Sequence, residues 1–425
     1  MSKFQAIVLA IFIICIVAGV ALFATYKSQD SGQSLPTITV WGVFPSSIFS
    51  PLVQQLNNTR TVSLSVNYIE KSASTFDKDF IEALARGQGP DAILIPQEMM
   101  LRHSDKIVPI PYEILTERDF KNTYIQQAEI YLTSQGSAAL PFTVDPLVMY
   151  WNRDLFTNAG IASYPKYWDE FAGVAKKIDL KDVNSNIRRS AIAMGEFANI
   201  NHAREILGAL LLQSGNPVTV RGDGGVQSAL AEGQSAATAI SFFTQFSNPR
   251  NEEYSWNRSL PVAKNWFLSG SLATYFGFSS ELFDIREKNP NIDFDVAPFP
   301  QIRNGRNRVT YGSMYGLSIV RSSANQAASY AVMQALTAPD ALTILGQLSY
   351  LPPVRRDMLA TGSTDPYQTI FFDSALISRG WLDINTARTT QIFQNMTESI
   401  TSGRASIDNA IRTAQDEMDL SIQNP

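Results

Sequence analysis

Cysteine is almost absent: Cys15 is the only one in 425 residues, so everything beyond it has none. Disulfides, thiolate metal sites and cysteine nucleophiles are thereby excluded from the bulk of the chain, as suits an exported protein that avoids unpaired thiols. Histidine is nearly as scarce. His103 and His202 lie far apart without the spacing of a metal-binding pair, and each reads as a surface or helix residue. No Gly-x-Ser-x-Gly elbow, Walker sequence or HExxH occurs. Charged residues make up 17%, below the roughly 25% usual for globular chains. The net charge of -5 comes with no long basic run, and the adjacent Arg188 and Arg189 are the nearest approach to one, so no nucleic-acid surface is expected. RGDGG, from Arg221, reads as a turn. There is no tandem repeat.

What is present starts with an apolar run. FQAIVLAIFIICIVAGVALFAT, from Phe4 to Thr25, matches the roughly 20 residues needed to cross a bilayer. Leu22, Phe23 and Ala24 put a large residue before the only good cleavage candidate, which favours an uncleaved anchor over a signal peptide. Lys3 and the α-amino group precede the run, placing the N-terminus in the cytoplasm and the rest outside the cell membrane. Ile13 and Ile14 precede Cys15 where a lipidated cysteine needs a small residue, so Cys15 reads as an apolar membrane side chain. YKSQDSGQSLP then reads as a polar tether.

Beyond the tether the pattern alternates. TITVWGVF is a buried strand, SSIFSPLVQQLNN a helix after Pro51, and TVSLSVNYIE a strand. STFDKDFIEALARGQGP puts Phe76, Phe80, Ile81 and Leu84 on one helical face, with Ser74 or Thr75 as N-cap and Gly87 at the end. DAILIP is a short strand closed by Pro96. This order predicts an open α/β sheet with ligands gathering at the carboxyl ends of its strands. The second half keeps the style. HAREILGALLLQSG is a helix, GGVQSALAEGQSAATAISFFTQFS a longer one interrupted at Gly233, NIDFDVAPFPQ and SMYGLSIV are strands, and RASIDNAIRTAQDEMDLSIQ closes as an amphipathic helix.

Six segments in order carry a family resemblance. They are GQGPDAILIP, the stretch LVMYWNRDLFTNAGIASYPKYWDEFAGVAKKI, LSGSLATYFGFS, FDVAPFP, YGSMYGLSIV and LSYLPPVRRD. From about Thr37 onward the chain resembles the extracellular solute-binding proteins of ABC importers, in the sugar-binding group that includes maltodextrin-binding proteins. The resemblance implies a two-lobed, periplasmic-binding-protein-like α/β fold (type II) with a hinge, here added to the N-terminal transmembrane helix. Its implied layout is anchor 1–26, tether 27–36, lobe one from 37–143 and 300–345, and lobe two from 146–297 and 350–425. PFTVDP, from Pro141, would be the first hinge crossing and VAPFP, from Val296, the second, each an extended passage with few sheet partners.

Sugar capture needs flat aromatic rings for the apolar sugar faces and acids or amides for the hydroxyls. The implied ligand-binding residues are Trp41 and Phe44 after the first strand, Gln97 and Glu98 after DAILIP, and Asp145 at the hinge. Phe278 and Glu281 follow in a loop where many relatives carry Gly-x-Trp, then Tyr311 and Gly312, Tyr350 and Arg355 around the LPP turn, and Trp381. Trp168 reads as a packing residue. The expected function is extracytoplasmic binding of a sugar or oligosaccharide, without cofactor, metal or catalysis, and delivery to an ABC permease. A membrane-anchored sensor is the alternative, and a carbohydrate-cleaving enzyme ranks below it.

Overall fold

The structure is a computed structural model that describes residues 36–59, 64–222, 225–383 and 385–423. The expected anchor and most of the tether lie outside these residues. Among the described residues no helix is long and apolar enough to cross a membrane.

The alternation read from the sequence becomes β1 (Ile38–Gly42), α1 (Ser46–Thr59), β2 (Val66–Glu70), α2 (Phe76–Ala85) and β3 (Ala92–Pro96). The three strands are parallel, with β1 between β2 and β3. Helix α1 starts before Pro51 and carries it inside. In α2, Phe76 and Phe80 are buried while Ile81 is half exposed. Five residues of about 100° each rotate Ile81 off the stripe that Phe76 begins. Gly87 takes φ 67 after the helix, a left-handed conformation that suits glycine at a helix end.

After β3 come a short helix α3 (Gln97–Met100) and the long strand β4 (Leu140–Asn152), then β5 (Ile187–Ile192), α4 (Ala203–Gln213), β6 (Leu272–Phe278), β7 (Phe294–Pro298) and β8 (Thr310–Val320). Later helices include α5 (Pro339–Ser349), α6 (Thr386–Thr401) and α7 (Ile407–Gln423). The described stretch GVQSAL, from Gly225, is not helical: Gly225–Ser228 pairs with Thr219–Gly222 as a hairpin, and the helix begins only after Gly233.

One sheet runs through the molecule in the order β2-β1-β3-β8-β4-β6-β5. Two cores form along it. The first gathers β1, α1, β3, β4 up to Val144 and β8 from Met314 onward; the second gathers β4 from Leu147, β6, α4 and Tyr311. Both long strands therefore change core over two residues, and there Asp145 is paired with Ser313 and Pro146 with Gly312.

This corrects the expected hinge. The passage at Asp145 is not poor in sheet partners, because β4 is antiparallel to β8 from Leu140 to Pro146 and to β6 and β7 beyond it. VAPFP does not cross: Val296 to Pro298 pairs with β4 inside lobe two, and the chain returns on β8. Tyr311 consequently packs in the second core, and Leu351, Val354 and Leu359 in the first, unlike the layout drawn from the sequence.

Candidate ligand-binding site

The site is built from the switch between the cores. Successive side chains of a strand alternate between faces, so Tyr311, Ser313 and Tyr315 line one face of β8, with Asp145 opposite Ser313. One Asp145 carboxylate oxygen accepts the Ser279 hydroxyl at 2.7 Å and the Ser280 N–H at 3.1 Å. Burial raises its pKa to about 6, against the pull of these serine bonds. The acid at the hinge thus grips the lobe-two loop that follows β6. The Tyr315 hydroxyl has no hydrogen-bond partner among the described residues, and burial together with the Asp145 and Glu98 carboxylates keeps it protonated, a donor in waiting.

Lobe one supplies the end of β3. Pro96 stops the strand, and Gln97 and Glu98 open α3 fully inside the protein. The Gln97 amide donates to the Gly312 carbonyl at 3.0 Å and accepts from Gln127 at 2.7 Å. Gly380 leaves room for this amide, since a Cβ there would lie 2.0 Å from the Gln97 side-chain nitrogen and force it to shift. Glu98 accepts the Tyr311 hydroxyl and touches Ser313 at 3.5 Å. Burial pushes its pKa up, with Arg204 and the Tyr311 hydrogen bond opposing.

Lobe two answers with ion pairs. Arg204, on α4, pairs with Asp383 and with Glu205, the latter at 2.7 Å, and its guanidinium lies 4.5 Å from the Trp381 ring centre. Glu281 receives four donors: His202 at 2.7 Å, Lys264 at 2.5 Å, the Tyr275 hydroxyl at 2.8 Å and the Phe278 N–H at 2.9 Å. Burial alone would raise its pKa, but the His202 and Lys264 interactions win and lower it to about 2. The His202 pKa rises despite burial because of this partner. His202 also meets Phe278 edge-on at 4.7 Å.

The structure brings together Gln97, Glu98, Asp145, Tyr311, Gly312 and Trp381, with Phe278 beside them. It separates the other expected residues from this group or gives them other work. Phe44 is 1% exposed and packs edge-on against Phe142 and Tyr315, so it is a core ring and presents no face to a ligand. Trp41 is 9% exposed, and the Lys71 ammonium sits 4.0 Å over its ring. Trp381 is enclosed: Arg204 lies over it, Phe393 stacks at 6.3 Å and Tyr311 meets it at 5.1 Å, which leaves no open face for sugar stacking. Its indole N–H and the Arg204 Nε have no hydrogen-bond partner among the described residues. Glu281, with four donors, braces the Phe278 loop. Tyr350 caps α5 at φ 60, meets Phe283 at 5.0 Å and directs its hydroxyl to Asp365; Arg355 forks onto Asp357 at 2.8 and 3.1 Å.

His202, Arg204, Gln127, Tyr315 and Ser279 escaped the sequence reading. Only Tyr315 left a signal there, at a spacing of two from Ser313 in a strand already recognised. Trp168 packs as expected, buried with its indole N–H on Gln213 at 2.8 Å.

Two kinds of comparison bear on this arrangement. In overall shape the chain is similar to a cyclo/maltodextrin-binding protein complexed with maltotetraose, with a TM-score of 0.74 at 17% identity, covering 93% of this chain and 99% of that one. It is also similar to the cyclic alpha-maltosyl-1,6-maltose binding protein from Arthrobacter globiformis, at a TM-score of 0.75, 15% identity and coverage of 92% and 99%. The maltose-maltodextrin binding protein of Alicyclobacillus acidocaldarius gives 0.67, 18% identity, and 90% and 99%. At such identities these TM-scores show the shared two-lobed fold alone. In sequence, a binding protein of Brucella abortus (strain 2308) is 22% identical over 164 residues, which is 38% of this chain and 40% of that relative's length. The profile of bacterial extracellular solute-binding proteins, a family of binding proteins and not of enzymes, matches residues 48–343. With that match running through both lobes and across the Asp145–Ser313 hinge, the chain belongs to the bacterial extracellular solute-binding protein family.

Proposed function

We propose that this protein is an extracytoplasmic receptor for a sugar or short oligosaccharide, captured between its lobes at the hinge face. One observation carries the reading. Asp145, Ser313 and Tyr315 converge where both long strands change core, and Asp145 already reaches a lobe-two loop. A guest held there touches both lobes only when they are together, so its binding free energy favours the closed form. Asp145 and Glu98 are the hydroxyl acceptors, Tyr315 a hydroxyl donor, and Phe278 the ring in reach of a sugar face. The carbohydrate ligands named for the structural relatives support this choice of guest.

The closed, loaded receptor presents its sugar to an ABC permease, and the apolar run from Phe4 to Thr25 tethers it to the membrane, raising its local concentration there. An anchored sensor would use the same closure without uptake. Titrating monosaccharides and malto-oligosaccharides into the purified chain while following tryptophan fluorescence tests the binding claim. A saturable change is expected, weakened about tenfold or more in Asp145→Asn, since losing one charged acceptor costs about 1.4 kcal/mol or more. No response to any of these sugars removes the sugar assignment, and sugar uptake that is unchanged when this protein is deleted favours the sensor.

A further inference from the structure

The second lobe carries another concave site, which shares no residue with the hinge face. The loop from Pro298 to Val309, between β7 and β8, lies against the segment that leads into the helix start at Trp168. The two are joined by a bridge between Tyr167 and Gln301. Between them is a cavity of about 430 Å³, within the roughly 300–1,000 Å³ of small-molecule pockets. Tyr164, Lys166, Tyr167, Gln301, Asn304 and Arg308 are among its walls.

The charges around it are unevenly matched. Asp169 and Glu170 are the adjacent acids, and both are engaged by Arg303, at 2.7 Å each. Glu170 also accepts the Lys166 backbone N–H at 2.7 Å. Arg303 in turn lies 4.2 Å from the Tyr167 ring centre. The side chains of Lys166 and Arg308 are exposed and have no acceptor or counter-charge among the described residues. Two uncompensated cations thus border one cavity in a chain whose net charge is -5. Gln301 does not compete for a guest, because its amide is engaged by Phe299 and Val309 backbone groups and holds the loop in shape. Tyr164 and Tyr167 add aromatic side chains to this lining beside the two cations, the Tyr164 ring resting 5.9 Å from Trp151.

We propose that this cavity is a second binding site, for a small organic anion carrying a phosphate or carboxylate group on a flat or apolar body. Lys166 supplies a point charge and Arg308 a planar fork suited to either acid group. The rings of Tyr164 and Tyr167 and the chain at Pro298–Phe299, where β7 ends, cover the body.

Phenyl phosphate and benzoate, titrated separately into the full-length chain by calorimetry, test the site. Saturable binding of at least one probe is expected, about tenfold weaker or worse in Lys166→Ala/Arg308→Ala, and weakened by added salt. Lys166→Gln alone should weaken it less, which guards against a folding defect in the double variant. Tighter phenyl phosphate binding assigns a phosphate guest, and tighter benzoate binding a carboxylate. Asp145→Asn should leave probe binding unchanged, so this test stands apart from the sugar assignment. No saturable binding of either probe, or binding that survives in the double variant, overturns the proposal.

Discussion

Glu98 of lobe one and Glu281 of lobe two are both buried near the seam, yet the protein drives them in opposite directions. Glu98 stands among neutral groups, the Gln97 and Gln127 amides and the Tyr311 and Ser313 hydroxyls, with Arg204 already engaged by Asp383 and Glu205. Burial therefore prevails and its pKa rises. Glu281 has two cationic partners of its own, and its pKa falls to about 2. Burial alone does not decide the state of an acid; the charges left over for it do. Lobe one thus brings an adaptable, weakly committed acid to the seam, while lobe two uses its acid to hold the Phe278 loop.

Replacing Glu281 should break this contrast most severely. Its pKa lies near 2 in the fold against 4.5 for a free glutamate, and about 1.4 kcal/mol per unit gives about 3 kcal/mol of stability. That stability is complete above pH 4.5 and is lost as the pH falls toward about 2. Glu281→Gln should lower neutral-pH stability by about 3 kcal/mol and remove that part of the acid dependence, read by chemical denaturation at several pH values. An unchanged pH profile would show that Glu281 is not the brace.

Gly208 sharpens the comparison on the packing side of lobe two. A Cβ there would lie 2.4 and 2.6 Å from ring carbons of Trp381. Alanine in mid-helix ordinarily gains about 1 kcal/mol over glycine. Here overpacking should reverse the sign, for a net loss of about 1–2 kcal/mol in thermal unfolding. A stabilised Gly208→Ala would mean that the Trp381 ring yields easily.

Glu98→Gln should have the smallest effect, within about 1 kcal/mol, because the amide copies the neutral form that burial already favours. A raised folded pKa means that the wild-type chain loses stability as the pH rises above 4.5 through that value, and the variant should lose this slope. A cost as large as that of Glu281→Gln would show that Glu98 is held ionised, and the two lobes would then be electrically alike.

Much of the fold was legible because its signals are local. The apolar run DAILIP, the Phe76–Phe80 stripe and the alternation in YGSMYGLSIV each declare their element without a distant partner. VAPFP misled for a related reason: two prolines fix local dihedrals but say nothing about which strand lies alongside, and β4 does. GVQSAL misled because its weak apolar spacing fits either a helix or the hairpin strand that Gly225–Ser228 forms.

The site was legible only where a candidate follows a strand. Gln97, Glu98 and Asp145 could be named in this way, as each ends or interrupts an apolar run. His202 and Glu281 are 79 residues apart, and Arg204 and Asp383 are 179 apart. No spacing in a single sequence joins such pairs. Phe44 shows the converse, since its place after β1 suggested a cleft ring, yet Phe142 and Tyr315 close over it.

By itself the sequence determined the repeating strand and helix units, the near-absence of thiols and the acid between two prolines, because hydrophobic period and residue chemistry act over a few neighbours. Only the tertiary structure decided which acids are charged, which aromatic rings are covered and where the chain passes between lobes. Those properties depend on groups brought within a few ångströms from far along the chain, where desolvation and pairing are settled together.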